Sequence, residues 1–182
     1  MADSTGATTG RSRMVTGLFR DRESAERAYG SLSGRGYSKD DVNLMMSDET
    51  RKRHFADDKG DASSDLGDKA WEDAGKGAAI GSGVGATIAA VLAIGTTLAI
   101  PGLNLLVAGP LAAALAGAGA GGLTGGLIGA LVGHGVKEEH AKEYDRGIRE
   151  GNIMMGVNAR SDEDAEYFEN EFRTHRGEHV YR

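Results

Sequence analysis

The chain has 182 residues, of which 29 are glycine and none is cysteine, and it carries a formal net charge of −6. This length allows one or two domains with a modest core. The absence of cysteine excludes disulfides, thiolate metal sites and thiol nucleophiles. The negative charge argues against nucleic acid as the main partner, because phosphate binding needs a basic surface. A cytoplasmic location fits this composition.

The N-terminal part of the chain predicts a short tail followed by a β-α-β unit over residues 14–47. Residues 1–13 are polar and lack the apolar segment of a signal peptide, so we expect a disordered tail. The run Met14–Phe19 predicts a strand, and Asp21 is a candidate N-cap. Four apolar residues then follow at the spacing of an amphipathic helix: Ala25, Ala28, Tyr29 and Leu32. Three alternating apolar residues predict a second strand: Val42, Leu44 and Met46.

The C-terminal part, residues 151–182, repeats this plan. Alternation from Ile153 to Ala159 predicts a strand, Ser161 caps a helix, and His179–Tyr181 offers a short last strand. The helix has an apolar stripe of Ala165, Phe168 and Phe172. One inserted residue aligns the two halves. Two β-α-β halves predict an α+β fold with a ferredoxin-like β-α-β-β-α-β head, in which the second and third strands are antiparallel neighbours.

The segment between the halves is a large insertion with three predicted parts. Residues 48–73 are rich in aspartate and predict an acidic linker, in which the basic run Arg51–His54 forms a solvated loop. Residues 74–135 predict a long helical hairpin. Residues 136–150 predict a charged helical extension with an apolar stripe, which packs on the sheet or on a neighbouring chain: Ala141, Tyr144 and Ile148.

The predicted hairpin has two helical arms and an apolar turn. The first helix runs from Gly75 to about Leu98, the turn contains Pro101 and Gly102, and Pro110 opens the second helix at a favoured early position. From there only glycine interrupts the pattern until about residue 149. A continuous second helix would be roughly 58 Å long at 1.5 Å per residue.

Glycines recur through the hairpin at helical spacing, and no charged side chain occurs from Gly77 to Gly135. Each glycine costs roughly 1 kcal/mol in a water-exposed helix, so we expect close backbone approach to other helices, as in a glycine zipper. The second helix presents two glycine surfaces, and its hairpin partner can occupy only one. We therefore predict self-association through Gly77, Gly81, Gly85, Gly117, Gly119, Gly121, Gly122, Gly125, Gly126, Gly129 and Gly133.

Two settings for the hairpin remain open. Each arm has over 20 uncharged residues, enough for a hydrocarbon core of about 30 Å, and Trp71 and Lys76 resemble interfacial anchors. This favours association with, or insertion into, the cytoplasmic membrane from its inner face. The alternative is a soluble homo-oligomer, a ring or shell with buried hairpins, since the arms are only modestly hydrophobic.

The segment from LAIPGLNLLVAGP through GVKEEHAKEYDRGIRE to GNIMMGV, together with VTGLFRDRESAERAYGSLSGRGYSKDDVNLM, resembles a bacterial family of low-temperature-induced or general stress proteins. The resemblance covers most of residues 14–160. It implies a role in stress tolerance without catalysis, and it provides no active-site residue to transfer. The aspartate-rich stretch and the polar tail are less typical of that family.

Chemical sites are not evident in the remaining residues. His134, Glu138 and His140 are the best metal candidates, but only the first two share a helix face, so a solvated helix end is favoured. The glycine-rich runs lack the preceding strand and the following Lys-Ser/Thr of a phosphate loop. We therefore predict no catalytic residues, no metal site, no cofactor and a non-enzymatic function, and the sequence identifies no small-molecule substrate.

Overall fold

The computed structural model describes residues 13–55, 88, 97–100, 104–117 and 126–182. The strands are β1 (Met14–Phe19), β2 (Val42–Ser47), β3 (Thr97–Ile100), β4 (Leu105–Ala108), β5 (Ile153–Asn158) and β6 (Glu178–Tyr181). The helices are α1 (Arg22–Gly34), α2 (Asp48–Phe55), α3 (Pro110–Gly117), α4 (Gly126–Gly133), α5 (Glu138–Arg149) and α6 (Asp162–Thr174), with a 3₁₀ turn at Lys39–Asp41.

The strands form one six-stranded sheet in the order β3-β4-β2-β5-β1-β6. Every adjacent pair is antiparallel. The prediction of a mixed helix and strand fold is confirmed. The second and last-but-one strands in the chain, β2 and β5, are hydrogen-bonded neighbours, with Val42 opposite Val157 and Met45 opposite Met154.

Side chains of the sheet are buried on both faces, because successive residues of a strand point to opposite sides. In β1, Val15 and Phe19 enter one core and Met14 and Leu18 enter the other. The sheet is therefore the middle of three layers. The cores on its two sides are called here the α1–α6 core and the α3–α5 core.

The α1–α6 core is formed by the predicted amphipathic helices. The predicted stripes of both helices are buried, including Tyr29 and Leu32 of α1 and Phe168 and Phe172 of α6. Phe19 meets Phe172 edge to face, with 5.4 Å between the ring centroids. The prediction of both helices and their buried faces is confirmed.

The two β-α-β units are related by a nearly constant shift along the chain. The strands β1 and β5 begin at Met14 and Ile153, a shift of 139 positions, whereas α1 and α6 begin at Arg22 and Asp162, a shift of 140. The inserted residue of the sequence alignment therefore lies between strand and helix. Both helices begin at a side-chain cap, since Asp21 accepts from the Ser24 amide and Ser161 from the Asp164 amide.

The α3–α5 core covers the other face of the sheet. Ala141, Tyr144 and Ile148, the predicted apolar stripe of the extension, are fully buried there. Of the two placements that the sequence allowed for this stripe, the structure shows packing on the sheet.

The end of the first predicted helix and part of the predicted turn of the hairpin are instead a pair of strands. β3 and β4 pair antiparallel, with Thr97 opposite Ala108 and Ile100 opposite Leu105, and β4 also pairs with β2. Asn104, in the turn between them, has a φ of 51°. A four-residue apolar run between turn residues suits a strand buried on both faces as well as a short helix segment, and β2 provides the hydrogen-bonding edge.

The predicted continuous second helix is also wrong. It is divided among α3, α4 and α5, and residues 118–125 lie outside the described residues. Between α4 and α5 the chain turns at Gly135, which has a φ of 90°. This left-handed conformation suits glycine, because glycine has no Cβ, and it ends α4 before the charged helix begins.

The two arms of the predicted hairpin contribute to different cores. Ile88 is helical and fully buried in the α1–α6 core. Leu111, Leu127 and Leu131 of α3 and α4 are buried in the α3–α5 core. Ile88 is therefore separated from these leucines by the sheet, whereas Leu98, at the end of the first arm, packs against the α3–α5 core.

The predicted solvated loop at Arg51–His54 is helical, within α2. Thr50 and Phe55 are buried, and the Thr50 hydroxyl donates to the Gly151 carbonyl oxygen at 3.1 Å. Thr50 holds α2 beside Gly151, just before β5, and Phe55 is buried in the α1–α6 core, which explains why a polar sequence forms a helix here. The described part of the predicted linker is therefore structured, and residues 56–73 lie outside the described residues.

Candidate functional site

The first candidate site is the outward side of α4, called here the α4 glycine face and consisting of Gly126, Gly129, Val132 and Gly133. The opposite side of the helix buries Leu127, Ala130 and Leu131 in the α3–α5 core. Val132 is 42% exposed, the exposed large apolar side chain among the described residues. The face carries no charged or polar side chain.

The glycines of this face are not in close contact with another helix within the described structure. No described atom lies within 4 Å of a Cβ built at Gly126, Gly129 or Gly133. The reverse holds for Gly147 of α5, where an added Cβ would overlap the Leu18 side chain of β1. A close contact is therefore found at Gly147, which the predicted glycine series did not include, and its neighbour is a strand and not a helix. Its sequence signal was its position three residues after Tyr144, on the buried face of α5.

Other predicted site residues have the following positions. Pro110 is the first residue of α3, as predicted, and Gly117 is its last. Gly109, just before, has a φ of 93° and lies against the Val42 carbonyl group, where no side chain would fit. The remaining predicted positions lie outside the described residues: Gly77, Gly81, Gly85, Gly119, Gly121, Gly122, Gly125, Pro101, Gly102, Trp71 and Lys76.

The second candidate site is a polar cleft of about 390 Å³ between α5 and the neighbouring ends of β1 and β6, called here the α5–β6 cleft. Leu18 and Gly147 are among its lining residues. The α5 wall carries Glu143, Arg146 and Glu150, which lie three or four residues apart and so share one helix face. The remaining residues that line the cleft are Arg20, Asn152, Glu178 and His179.

Two carboxylates of the cleft have partners. Arg20 Nε lies 2.8 Å from Glu178 Oε1. Glu143 Oε2 accepts from the Tyr181 hydroxyl at 2.7 Å and lies 3.3 Å from His179 Nδ1. The hydrogen bond to Glu143 raises the pKa of Tyr181, and partial burial raises this pKa further.

His179 lies in a strained part of the β6 edge. Its φ is 49°, and the register between β1 and β6 shifts between Thr16 and Leu18. Its carbonyl oxygen accepts a hydrogen bond from the Tyr144 hydroxyl at 2.8 Å. This bond from α5 fixes the irregular backbone, so the cleft wall is held by the core. Bulges of this kind are common next to binding sites.

Two of the three residues considered for metal binding are engaged elsewhere. The His140 ring stacks on the Tyr181 ring, with 3.4 Å between centroids and 2° between planes. Glu138 pairs with Lys142 at 2.7 Å, which lowers the pKa of its carboxyl group. His134 lies in the turn after α4. Within the described ranges, no three histidine or carboxylate side chains are grouped so that they could hold a metal ion.

A serine, a histidine and a glutamate meet between α1 and α6. The Ser31 hydroxyl donates to Glu171 Oε2 at 2.6 Å, and His175 Nε2 lies 3.3 Å from both the Ser31 Oγ and that carboxylate oxygen. A nucleophilic triad needs the base between the nucleophile and the acid, with the two contacts on different ring nitrogens. Here one nitrogen makes both contacts, so this group connects two helices and lacks the geometry of a proton relay.

Each cation of the basic run of α2 is paired with a carboxylate of its own helix. Lys52 and Arg51 pair with Asp48 at 2.6 and 3.4 Å, and Arg53 pairs with Glu49 at 2.9 Å. The hydrogen bond from Lys52 lowers the pKa of Asp48. A phosphate-binding surface needs cations that are not already neutralised in this way.

None of the helices in the described part of the chain combines the length and apolar character needed to cross a membrane. Comparisons of this chain with protein-family models, with curated proteins and with solved structures found no significant match.

Proposed function

We propose that this protein is a non-enzymatic, self-associating protein, and that the α4 glycine face is its contact surface. The observation that carries this proposal is an apolar helix face of three glycines and a 42% exposed valine, with no described atom within 4 Å of the added Cβ positions. A second copy of the chain is the proposed partner, because the same face on two copies is self-complementary.

Glycine in the interior of an exposed helix lowers the stability of that helix. Gly129, in the interior of α4, destabilises the helix by roughly 0.5–1 kcal/mol relative to alanine. Small residues four apart let two helix backbones approach closely, and the resulting packing offsets this loss. Val132 gains apolar burial in the same contact.

We also propose that the sheet contains a ferredoxin-like head made of β1, α1, β2, β5, α6 and β6. The order β2-β5-β1-β6 within the sheet and the matching shift of the two β-α-β units support this arrangement. In this proposal β3 and β4 extend the head beyond β2, and α3, α4 and α5 cover the face that would otherwise be open. The resemblance to low-temperature-induced stress proteins supports a role in stress tolerance.

A lipid surface is the second candidate partner for the same helix face. The observation that favours it is the complete absence of charged side chains from Gly77 to Gly135, which includes α3 and α4. In this version the protein lies in the cytoplasm at the inner face of the membrane and associates with the bilayer through this segment.

The test compares substitutions at two exposed helical glycines. Gly129→Leu places a bulky side chain on the α4 glycine face, and Gly30→Leu does the same on α1, where an added Cβ also meets nothing within 4 Å. We expect sedimentation velocity in plain buffer to show an oligomer for the unmodified protein and for Gly30→Leu, and a smaller species for Gly129→Leu. A monomeric unmodified protein, or equal masses for all three, would reject the proposed contact.

The lipid alternative is tested on the same three proteins. Flotation with phosphatidylglycerol and phosphatidylethanolamine vesicles measures binding to a bilayer. A monomeric protein that floats with the vesicles, and does so less when it carries Gly129→Leu, would replace self-association by lipid binding. An oligomer that remains at the bottom of the gradient supports the first version.

A further inference from the structure

The α5–β6 cleft contains polar groups that have no partner in the described structure. Arg146, Glu150 and the Asn152 side chain line it, and none of the three forms an ion pair or side-chain hydrogen bond with a described residue. The other arginine of α5 behaves differently, since Arg149 binds Asp145 through two contacts of 2.8 and 3.0 Å.

Arg146 and Glu150 are one helical turn apart, the spacing at which opposite charges commonly pair. They do not pair here, and both line the same cleft. A guanidinium group and a carboxylate are thus held near each other with both charges available. Such an arrangement can be satisfied from outside by a molecule that carries one charge of each sign.

Ligands with a single charge fit this cleft less well. An anion bound to Arg146 would also face Glu143, Glu150 and Glu178, whereas a cation bound to Glu150 would face two guanidinium groups. The C-terminus of α5 adds partial negative charge beside Glu150 and Asn152, which favours an ammonium group there. A guanidinium group binds a carboxylate through two parallel hydrogen bonds, which favours a carboxylate at Arg146.

We propose that the α5–β6 cleft binds a small zwitterion, an amino acid whose carboxylate is held by Arg146 and whose ammonium group is held by Glu150 and the Asn152 side-chain oxygen. The cleft volume of about 390 Å³ lies in the range of small-molecule sites, and its polar lining suits a ligand with little apolar surface. This proposal goes beyond self-association and does not depend on it, since the cleft and the α4 glycine face share no residue.

Calorimetric titration of the full chain tests the proposal with two amino acids and with two ions that each carry only one of the two charges. The probes are glycine and 4-aminobutyrate, which differ in the spacing of their charges, and acetate and methylammonium, which carry one charge each. Ionic strength is matched with sodium chloride. We expect at least one of the two amino acids to bind at least tenfold more tightly than either acetate or methylammonium.

Three variants locate the site. Arg146→Gln and Glu150→Gln should each weaken binding of the preferred amino acid at least tenfold, because each removes one charge contact. Arg149→Gln is the matched control on the same helix, and its affinity should stay within twofold. Thermal unfolding shows that each variant is folded, and the side chains of Arg146 and Glu150 are exposed, which makes their substitution mild.

Three results would overturn the proposal. One is the absence of saturable binding for both amino acids. The second is binding of acetate or methylammonium as tight as that of the amino acids, which would make the cleft a site for a single charge. The third is unchanged affinity in both Arg146→Gln and Glu150→Gln, which would place any binding elsewhere on the chain.

Discussion

The Tyr144 hydroxyl lies 2.6 Å from Thr16 Oγ1, in the middle of the α3–α5 core. Tyr144 belongs to the helix that follows the insertion, and Thr16 belongs to the first strand of the chain. This hydrogen bond joins two buried polar groups across that helix and the sheet, and the same tyrosine hydroxyl reaches the His179 carbonyl oxygen. Burial raises the pKa of Tyr144, so the hydroxyl stays protonated.

Tyr144→Phe should lower the free energy of unfolding by about 1–3 kcal/mol, because it removes the buried hydrogen bond to Thr16 and the bond to the His179 carbonyl group. Urea unfolding measures the change. The Thr16→Val variant and the double variant with Tyr144→Phe complete a double-mutant cycle. We expect a coupling free energy above about 0.5 kcal/mol, because the two hydroxyl groups are in contact. Additive effects of the two substitutions would contradict a direct hydrogen bond.

Alanine should have opposite effects at two helical glycines. Gly147→Ala forces a Cβ into the Leu18 side chain and should destabilise the protein by about 1–3 kcal/mol. Gly129→Ala meets open space, so it should stabilise the dilute, dissociated protein by about 0.5–1 kcal/mol. Urea unfolding at low protein concentration measures both. Destabilisation by Gly129→Ala would mean that its Cβ position is occupied even in a single copy.

Asn43→Ala should weaken the start of α3. The Asn43 side-chain oxygen accepts from the Leu111 amide at 2.8 Å, and both groups are buried. Without this acceptor the amide is left unsatisfied, at a cost of about 1–3 kcal/mol. Hydrogen exchange should show faster exchange at Leu111. Asn170→Ala on the exposed side of α6 is the control, with an expected change within about 0.5 kcal/mol.

Tyr29 should make the protein sensitive to alkali. Burial is the main cause that raises the pKa of Tyr29 from 10.0 to about 12, and the negative charges of Asp40 and Asp41 raise it further. The raised pKa favours the neutral hydroxyl in the folded state. The contribution of the neutral Tyr29 hydroxyl to the free energy of unfolding is therefore complete below pH 10. It is lost as the pH rises to about 12. The loss amounts to about 3 kcal/mol at 1.36 kcal/mol per unit.

Tyr29→Phe isolates this contribution. The variant should be close to the unmodified protein in stability at pH 7, because the Tyr29 hydroxyl has no hydrogen-bond partner among the described residues. Between pH 10 and 12 it should lose less stability than the unmodified protein. Unfolding curves at several pH values measure the difference. Parallel curves for the two proteins over this range would contradict the assigned cause.

The elements of the two β-α-β units could be predicted because their signals are local. Asp21 and Ser161 mark helix starts, and the apolar residues of α1 and α6 follow a helical period. The strand pair β3–β4 could not be separated from a helix by the same means, since an apolar run of four residues has no period. Its pairing with β2 depends on residues over 50 positions away in the chain.

The two candidate sites also differ in how far they could be predicted from the sequence. The glycine face of α4 could be read from the spacing of Gly129 and Gly133 along one helix, although the sequence did not show whether another helix covers it. The α5–β6 cleft had no sequence signal, because Arg20, Arg146 and Glu178 come from three separate elements. Only the packing of α5 onto the sheet brings these charges to one place.

The position of β1 in the sheet determines when this chain can fold during synthesis. Both hydrogen-bonded neighbours of β1 come from the far end of the chain, since it pairs with β5 and β6 and not with β2. The first β-α-β segment therefore has no internal strand pairing when it leaves the ribosome. The apolar residues of β1 stay without strand partners until β5 and β6 have been synthesised, over 130 residues later, and an apolar strand exposed for that time is prone to aggregation.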